Sequence, residues 1–129
     1  MQTHQEQTLY TAGPFGHGFR VTDRQENGAT VIDLPGPLVG EQPAHELRDR
    51  VLDLLELGAR RFAINLTEVS HADSYGVGAL AAVYNLVRHR GGRIKFFGAP
   101  ARLVRMLASL RLDTVFDLLG DETSALRRL

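Results

Sequence analysis

The sequence predicts a single α/β domain with a mixed, mostly parallel β-sheet of four to six strands and about four helices. Three observations lead there. The chain has 129 residues, 43% hydrophobic and 23% charged, which suits one globular unit with a real core. Short apolar runs of strand length alternate with longer segments whose apolar residues recur at helical spacing. Glycine and proline punctuate each junction, and strands separated by helices pair in parallel through crossover connections.

Residues 1–17 are polar and broken by Gly and Pro, so they read as a flexible tail, with Thr8–Ala12 a candidate edge strand. The domain is assigned to residues 18–129. Phe19–Gln25 begins with the alternation of a half-buried strand. Asn27-Gly28 is a hairpin signal, because both residues tolerate the positive φ of a tight turn. Ala29–Leu34 returns as a β-branched strand and stops at Pro35-Gly36-Pro37. Glu41–Leu57 is helical, with Leu47, Val51, Leu54 and Leu55 on one face and Arg48, Asp49, Arg50, Asp53 and Glu56 outside. Arg61–Leu66 is the next strand.

A polar loop then leads to Asp73-Ser74, residue types that cap a helix start by accepting its unpartnered N–H groups. The helix carries Val77, Leu80, Ala81, Tyr84 and Val87 as its apolar stripe and ends at Gly91-Gly92. Arg93–Phe97 is a strand, and Gly98-Ala99-Pro100 introduces a helix facing the core with Leu103, Met106, Leu107 and Leu110. Thr114–Leu118 reads as a short last strand. Asp121-Glu122 opens a closing helix with Ala125, Leu126 and Leu129 inward and Arg127 and Arg128 near its negative end.

Composition excludes several functions. A net charge of zero gives no electrostatic reason to expect nucleic acid or an anionic membrane as partner, although a local basic patch is compatible with it. With no cysteine there is no thiolate metal site and no thiol nucleophile. His4, His17, His45, His71 and His89 are scattered without ligand spacing, so neither a metal nor a cofactor is expected. The opening residues lack a signal-peptide pattern, and no apolar run has the length of a bilayer span. The expected compartment is the cytoplasm.

The informative stretch is Asp73-Ser74-Tyr75-Gly76-Val77-Gly78. Two glycines in a first helical turn cost about 1 kcal/mol each against alanine, so something other than helix stability explains them. Bare backbone there lets another backbone, or a phosphate, come close to Ser74. Two enzyme motifs lie nearby and neither fits. Ala72-Asp73-Ser74-Tyr75-Gly76 approaches the hydrolase G-x-S-x-G elbow, yet the first glycine is alanine. The one later histidine, His89, lies about 22 Å along the same helix. Gly76-Val77-Gly78-Ala79-Leu80-Ala81 matches a dinucleotide fingerprint in letters, but about nine residues separate it from the strand, where the motif requires a direct turn.

With strand, loop and Asp73-Ser74-x-Gly76-x-Gly78 opening a helix, the chain from about Gly18 to Leu129 resembles the STAS domain of bacterial anti-sigma-factor antagonists. The resemblance extends to Gly91-Gly92 and to Thr114-Val115-Phe116. It implies a non-enzymatic regulator that binds an anti-sigma factor, a serine kinase, and releases it when Ser74 is phosphorylated; a phosphoserine phosphatase reverses the step. It implies a partner interface of Leu38, Val39, Tyr75, Gly76, Val77 and Gly78, with Asp73 capping the helix or orienting the Ser74 hydroxyl. A homodimer is left open. Two departures stand out: Val39 occupies a position where the family commonly has an acid, and Asn65 replaces a frequent aspartate. The alternatives are a STAS scaffold or transport-system subunit without phosphorylation and, from another class, a small serine hydrolase.

Overall fold

The computed structural model describes residues 19–129; the expected tail at 1–17 and the candidate strand Thr8–Ala12 lie outside them. Four strands form one sheet in the order β1-β2-β3-β4: β1 Thr22–Glu26, β2 Ala29–Asp33, β3 Arg61–Asn65 and β4 Arg93–Phe97. The β1–β2 pair is antiparallel, while β2–β3 and β3–β4 are parallel. Asn27 and Gly28 close the hairpin with φ of 52° and 80°, the two positive values that match the twist of the flanking strands.

Helix α1, Glu41–Glu56, links β2 to β3, and α2, Ser74–His89, links β3 to β4. Helix α3, Ala101–Ser109, α4, Leu112–Phe116, and α5, Glu122–Arg127, follow. The main core lies on one sheet face. There Ile32, Phe62, Ile64 and Phe96 meet Leu47 and Val51 of α1, Leu80, Val83 and Val87 of α2, and Leu103 and Leu107 of α3. The other face has a small cluster of Val31, Ala63 and Phe97 under Ala125 of α5. Arg24 fastens α5 there, donating to Glu122 at 2.7 Å and to Asp33 at 2.7 Å.

The expected strand at Thr114–Leu118 is instead the short helix α4. Its β-branched Thr114-Val115 pair suggested extended chain, but the packing of Leu112 and Phe116, four apart, decides otherwise. Phe116 is buried, stacked on Phe96 with centroids 4.5 Å apart and tilted against Tyr84 at 5.5 Å. Only Leu119 beyond it touches the sheet edge, as an isolated bridge to Phe97. Leu110 is likewise not on the core face. Helix α3 ends at Ser109, Arg111 turns left-handed at φ 62°, and Leu110 is left exposed.

Candidate functional site

The loops after β2 and β3 are stitched to each other just beyond the sheet. Leu38 N–H donates to the His71 carbonyl at 3.1 Å, and Asp73 N–H to the Leu38 carbonyl at 3.1 Å. Asp73 is the N-cap of α2, and each of its carboxylate oxygens accepts a different backbone N–H. Oδ2 takes Gly40 at 2.8 Å and Oδ1 takes Gly76 at 3.1 Å. Those two bonds hold the Asp73 carboxyl below the usual carboxylate range. One side chain therefore caps α2 and fixes the start of α1. Its hydrogen bonds run to backbone N–H groups rather than to the Ser74 hydroxyl.

The two glycines have different reasons. A Cβ on Gly76 would stand 2.2 Å from the Leu38 carbonyl oxygen and 2.6 Å from the Leu38 Cβ, so the close approach of the neighbouring loop demands glycine. A Cβ on Gly78 would meet nothing within 4 Å. No internal contact accounts for its presence.

Ser74 is the first residue of α2 and is exposed, beside Tyr75, Gly78 and Val39, which are exposed as well. Leu38 and Gly76 are buried, and Val77 is 9% exposed, so these three support the surface from beneath. Asn65 lies behind the site. It donates from Nδ2 to Asp33 at 2.7 Å and accepts through Oδ1 from the Thr67 N–H at 3.0 Å. An amide meets both demands at once; a carboxylate would face Asp33 with no proton to offer.

A cleft of about 340 Å³ opens beside Ser74, between α1 and α2. Glu41, Ala44, His45 and Arg48 form its α1 wall, and Ser74, Tyr75 and Gly78 its α2 wall. Sequence reasoning placed Arg48 on a solvated outer face and missed this wall. The available signal was the spacing of 41, 44, 45 and 48, which puts those residues on one stripe of a helix. His89 is the last residue of α2, at the far end from Ser74, and His71 pairs with Ser70 at 3.0 Å. Among the described residues no group of three or more His, Cys, Asp or Glu side chains could hold a metal ion, and no helix is long and apolar enough to cross a membrane.

The STAS domain family model matches residues 20–125, nearly all of the described chain. The chain belongs to the STAS domain family. Solved structures agree on the fold. A putative anti-sigma factor antagonist from Thermotoga maritima superposes with a TM-score of 0.77 at 18% identity, over 84% of this STAS chain and 92% of its own. The phosphorylated form of the Bacillus cell fate determinant SpoIIAA gives a TM-score of 0.65 at 17% identity, covering 84% and 97%. The murine anion transporter Slc26a9 contributes a likeness of 0.68 at 14% identity, over 80% of this chain and 18% of the transporter. No curated protein sequence matches the chain.

Proposed function

We propose that this STAS domain is an anti-sigma-factor antagonist, a non-enzymatic protein that binds an anti-sigma factor kinase and is released when Ser74 is phosphorylated. The observation that carries the reading is the placement of Ser74: an exposed hydroxyl on the first turn of α2, at the mouth of the cleft between α1 and α2. Anti-sigma factor antagonists among the structural neighbours, one of them in a phosphorylated form, support it.

The chemistry is consistent with that role. The Ser74 oxygen attacks the γ-phosphorus of ATP, a new P–O bond forms as ADP leaves, and the hydroxyl proton passes to a base on the kinase. The product carries about −1.5 to −2 charges at neutral pH. At the tip of α2 those charges meet the positive end of the helix dipole, and across the cleft Arg48 offsets Glu41 on the same wall, so the domain itself accommodates them. A partner packed over Ser74, Tyr75, Gly78 and Val39 would have to desolvate the phosphate with no compensating group of its own, and it dissociates. Phosphorylation therefore acts across the interface and leaves the fold unchanged.

Incubation with the anti-sigma kinase of the same genome and ATP is expected to add one phosphate, located at Ser74 by peptide mass spectrometry and abolished in Ser74→Ala. Ser74→Asp is expected to lose the kinase in a pull-down. Labelling of Ser70 instead, or undiminished binding by Ser74→Asp, overturns the proposal. Val39 favours one second reading. It presents an exposed apolar side chain where the antagonists commonly carry an acid, which suits a STAS scaffold that binds without a phosphorylation cycle. Stable binding to the kinase with no phosphate incorporated would decide for it.

A further inference from the structure

The end of the molecule opposite Ser74 carries a concentration of positive charge that the zero net charge conceals. Strands β3 and β4 start there, and α1 and α2 finish there. Their termini place Arg60, Arg61, Arg90 and Arg93 at this end, while the Arg88 guanidinium lies back over the Tyr84 ring, 5.3 Å from its centroid. In the parallel register Arg61 and Arg93 are direct cross-strand partners, an unfavourable juxtaposition of like charge. Acids offset part of this charge: Glu56 pairs with Arg90 at 3.3 Å, and Asp53 is exposed one turn before Leu57, while Glu26 is held by Arg24 at 3.2 Å.

Beside this cluster lies a cleft of about 570 Å³, walled by the hairpin turn on one side and the end of α1 on the other. Leu54, Leu57 and Ala59 supply its apolar lining, and Arg60 and Arg61 its charge. Leu57 is 83% exposed, more than any other large hydrophobic side chain among the described residues. The guanidinium of Arg60 donates to the Leu55 and Ala59 carbonyls at 2.9 and 2.7 Å, which holds it over the end of α1.

We propose that this pole is a second docking surface, and that its partner is an acidic protein segment that sets a large apolar side chain against Leu57 and its carboxylates against the arginines. Three features select that class of partner. Arg60 and Arg61 line the cleft and no acid does, so the partner is anionic. The cleft is concave and receives a protruding segment, whereas a membrane surface offers none. Nucleic-acid bases stack on aromatic side chains, and the exposed large hydrophobic at this end is aliphatic. Helix α2 separates the pole from Ser74 by about 22 Å, so the two surfaces do not overlap.

The test uses the full chain and a fluorescent peptide of roughly a dozen residues that repeats Glu-Glu-Leu, followed by anisotropy. Binding is expected, weakening at least about tenfold between low and moderate salt as charged contacts are screened. It should be lost when Gln replaces Glu in the peptide. Arg93→Glu and Leu57→Ser are each expected to weaken binding at least about fivefold with the thermal midpoint unchanged, and Ser74→Asp to leave it alone. Amide chemical-shift changes should fall on residues 57–61 and 88–93, a readout independent of the variants. Binding that survives both substitutions, shifts elsewhere, or tighter binding to phosphatidylglycerol vesicles or to duplex DNA than to the peptide overturns the proposal.

Discussion

Single atoms decide most of what happens around Ser74. A methyl group on Gly76 collides with the backbone of Leu38, and a loop stitched by two hydrogen bonds cannot step aside freely. Gly76→Ala is therefore expected to destabilise the domain by about 1–3 kcal/mol in urea titrations. Gly78→Ala should do the reverse, gaining up to about 1 kcal/mol from helix propensity because its Cβ enters open space. If Gly78 serves the proposed interface, the same stabilised variant should bind the proposed kinase partner more weakly, and calorimetric titration separates the two effects. Asn65 gives a third residue-level expectation. Asn65→Asp would restore the family's frequent acid but set a carboxylate against Asp33, where the amide now donates at 2.7 Å. The variant should be less stable than the parent at pH 7, by about 1–3 kcal/mol, and regain part of that loss near pH 4 as the pair takes up a proton. The sequence showed that the two glycines needed a reason. It could not show that the reasons differ, because the Leu38 contact joins residues far apart in the chain.

Among the elements, strands β1 to β4, helices α1 to α3 and the closing helix were legible from periodicity and breakers, each to within a few residues. The failure came where local propensity and tertiary packing disagree. In α4 the β-branched Thr114 and Val115 favour extended chain, while Phe116 must reach Phe96 and Tyr84, and a helical turn gets it there. Phe116→Ala is accordingly expected to cost about 3–5 kcal/mol and to broaden the amide resonances of α4 first. The cleft wall on α1 was only half legible: spacing put 41, 44, 45 and 48 on one stripe, but a solvated stripe and a cleft wall have the same composition until a second helix is placed beside one of them. Helix α5 poses the opposite case, since Ala125 and its few apolar neighbours bury little. Its attachment leans on Arg24, which bonds Glu122 and Asp33 together. Arg24 is partly solvated, so Arg24→Ala is expected to lower global stability by only about 1 kcal/mol. Hydrogen exchange in α5 should nevertheless accelerate well beyond that in β3.

For the molecule as a whole, the carboxylates that hold elements together also set its response to acid. Gly40 and Gly76 N–H bonds hold Asp73 below its ordinary range, and the Ser124 N–H and hydroxyl do the same for Asp121 at the start of α5. Burial pushes Asp33 up, but hydrogen bonds from Arg24 and Asn65, with the Arg24 charge, outweigh it and leave the carboxyl lowered. A lowered folded-state pKa means that the unfolded chain takes up protons first as pH falls. These contributions are complete above the unfolded carboxylate range, near about pH 4, and vanish as pH drops through the folded values. Burial raises Glu46, and there the sign reverses: the folded state keeps its proton longer, so stability is lost as pH climbs through the unfolded value toward the raised one. Three lowered groups and one raised group predict a loss of stability as pH falls below about 4 and a separate decline as it rises above the unfolded glutamate range. Urea midpoints measured from pH 7 to pH 2 should trace that shape. Asp73→Asn keeps one of the two acceptor oxygens and cannot titrate, so it should be less stable than the parent at pH 7 and flatten the acid limb, and Glu46→Gln should remove the decline above it. An acid limb as steep in Asp73→Asn as in the parent would mean that the junction between α1 and α2 is not where the protons act.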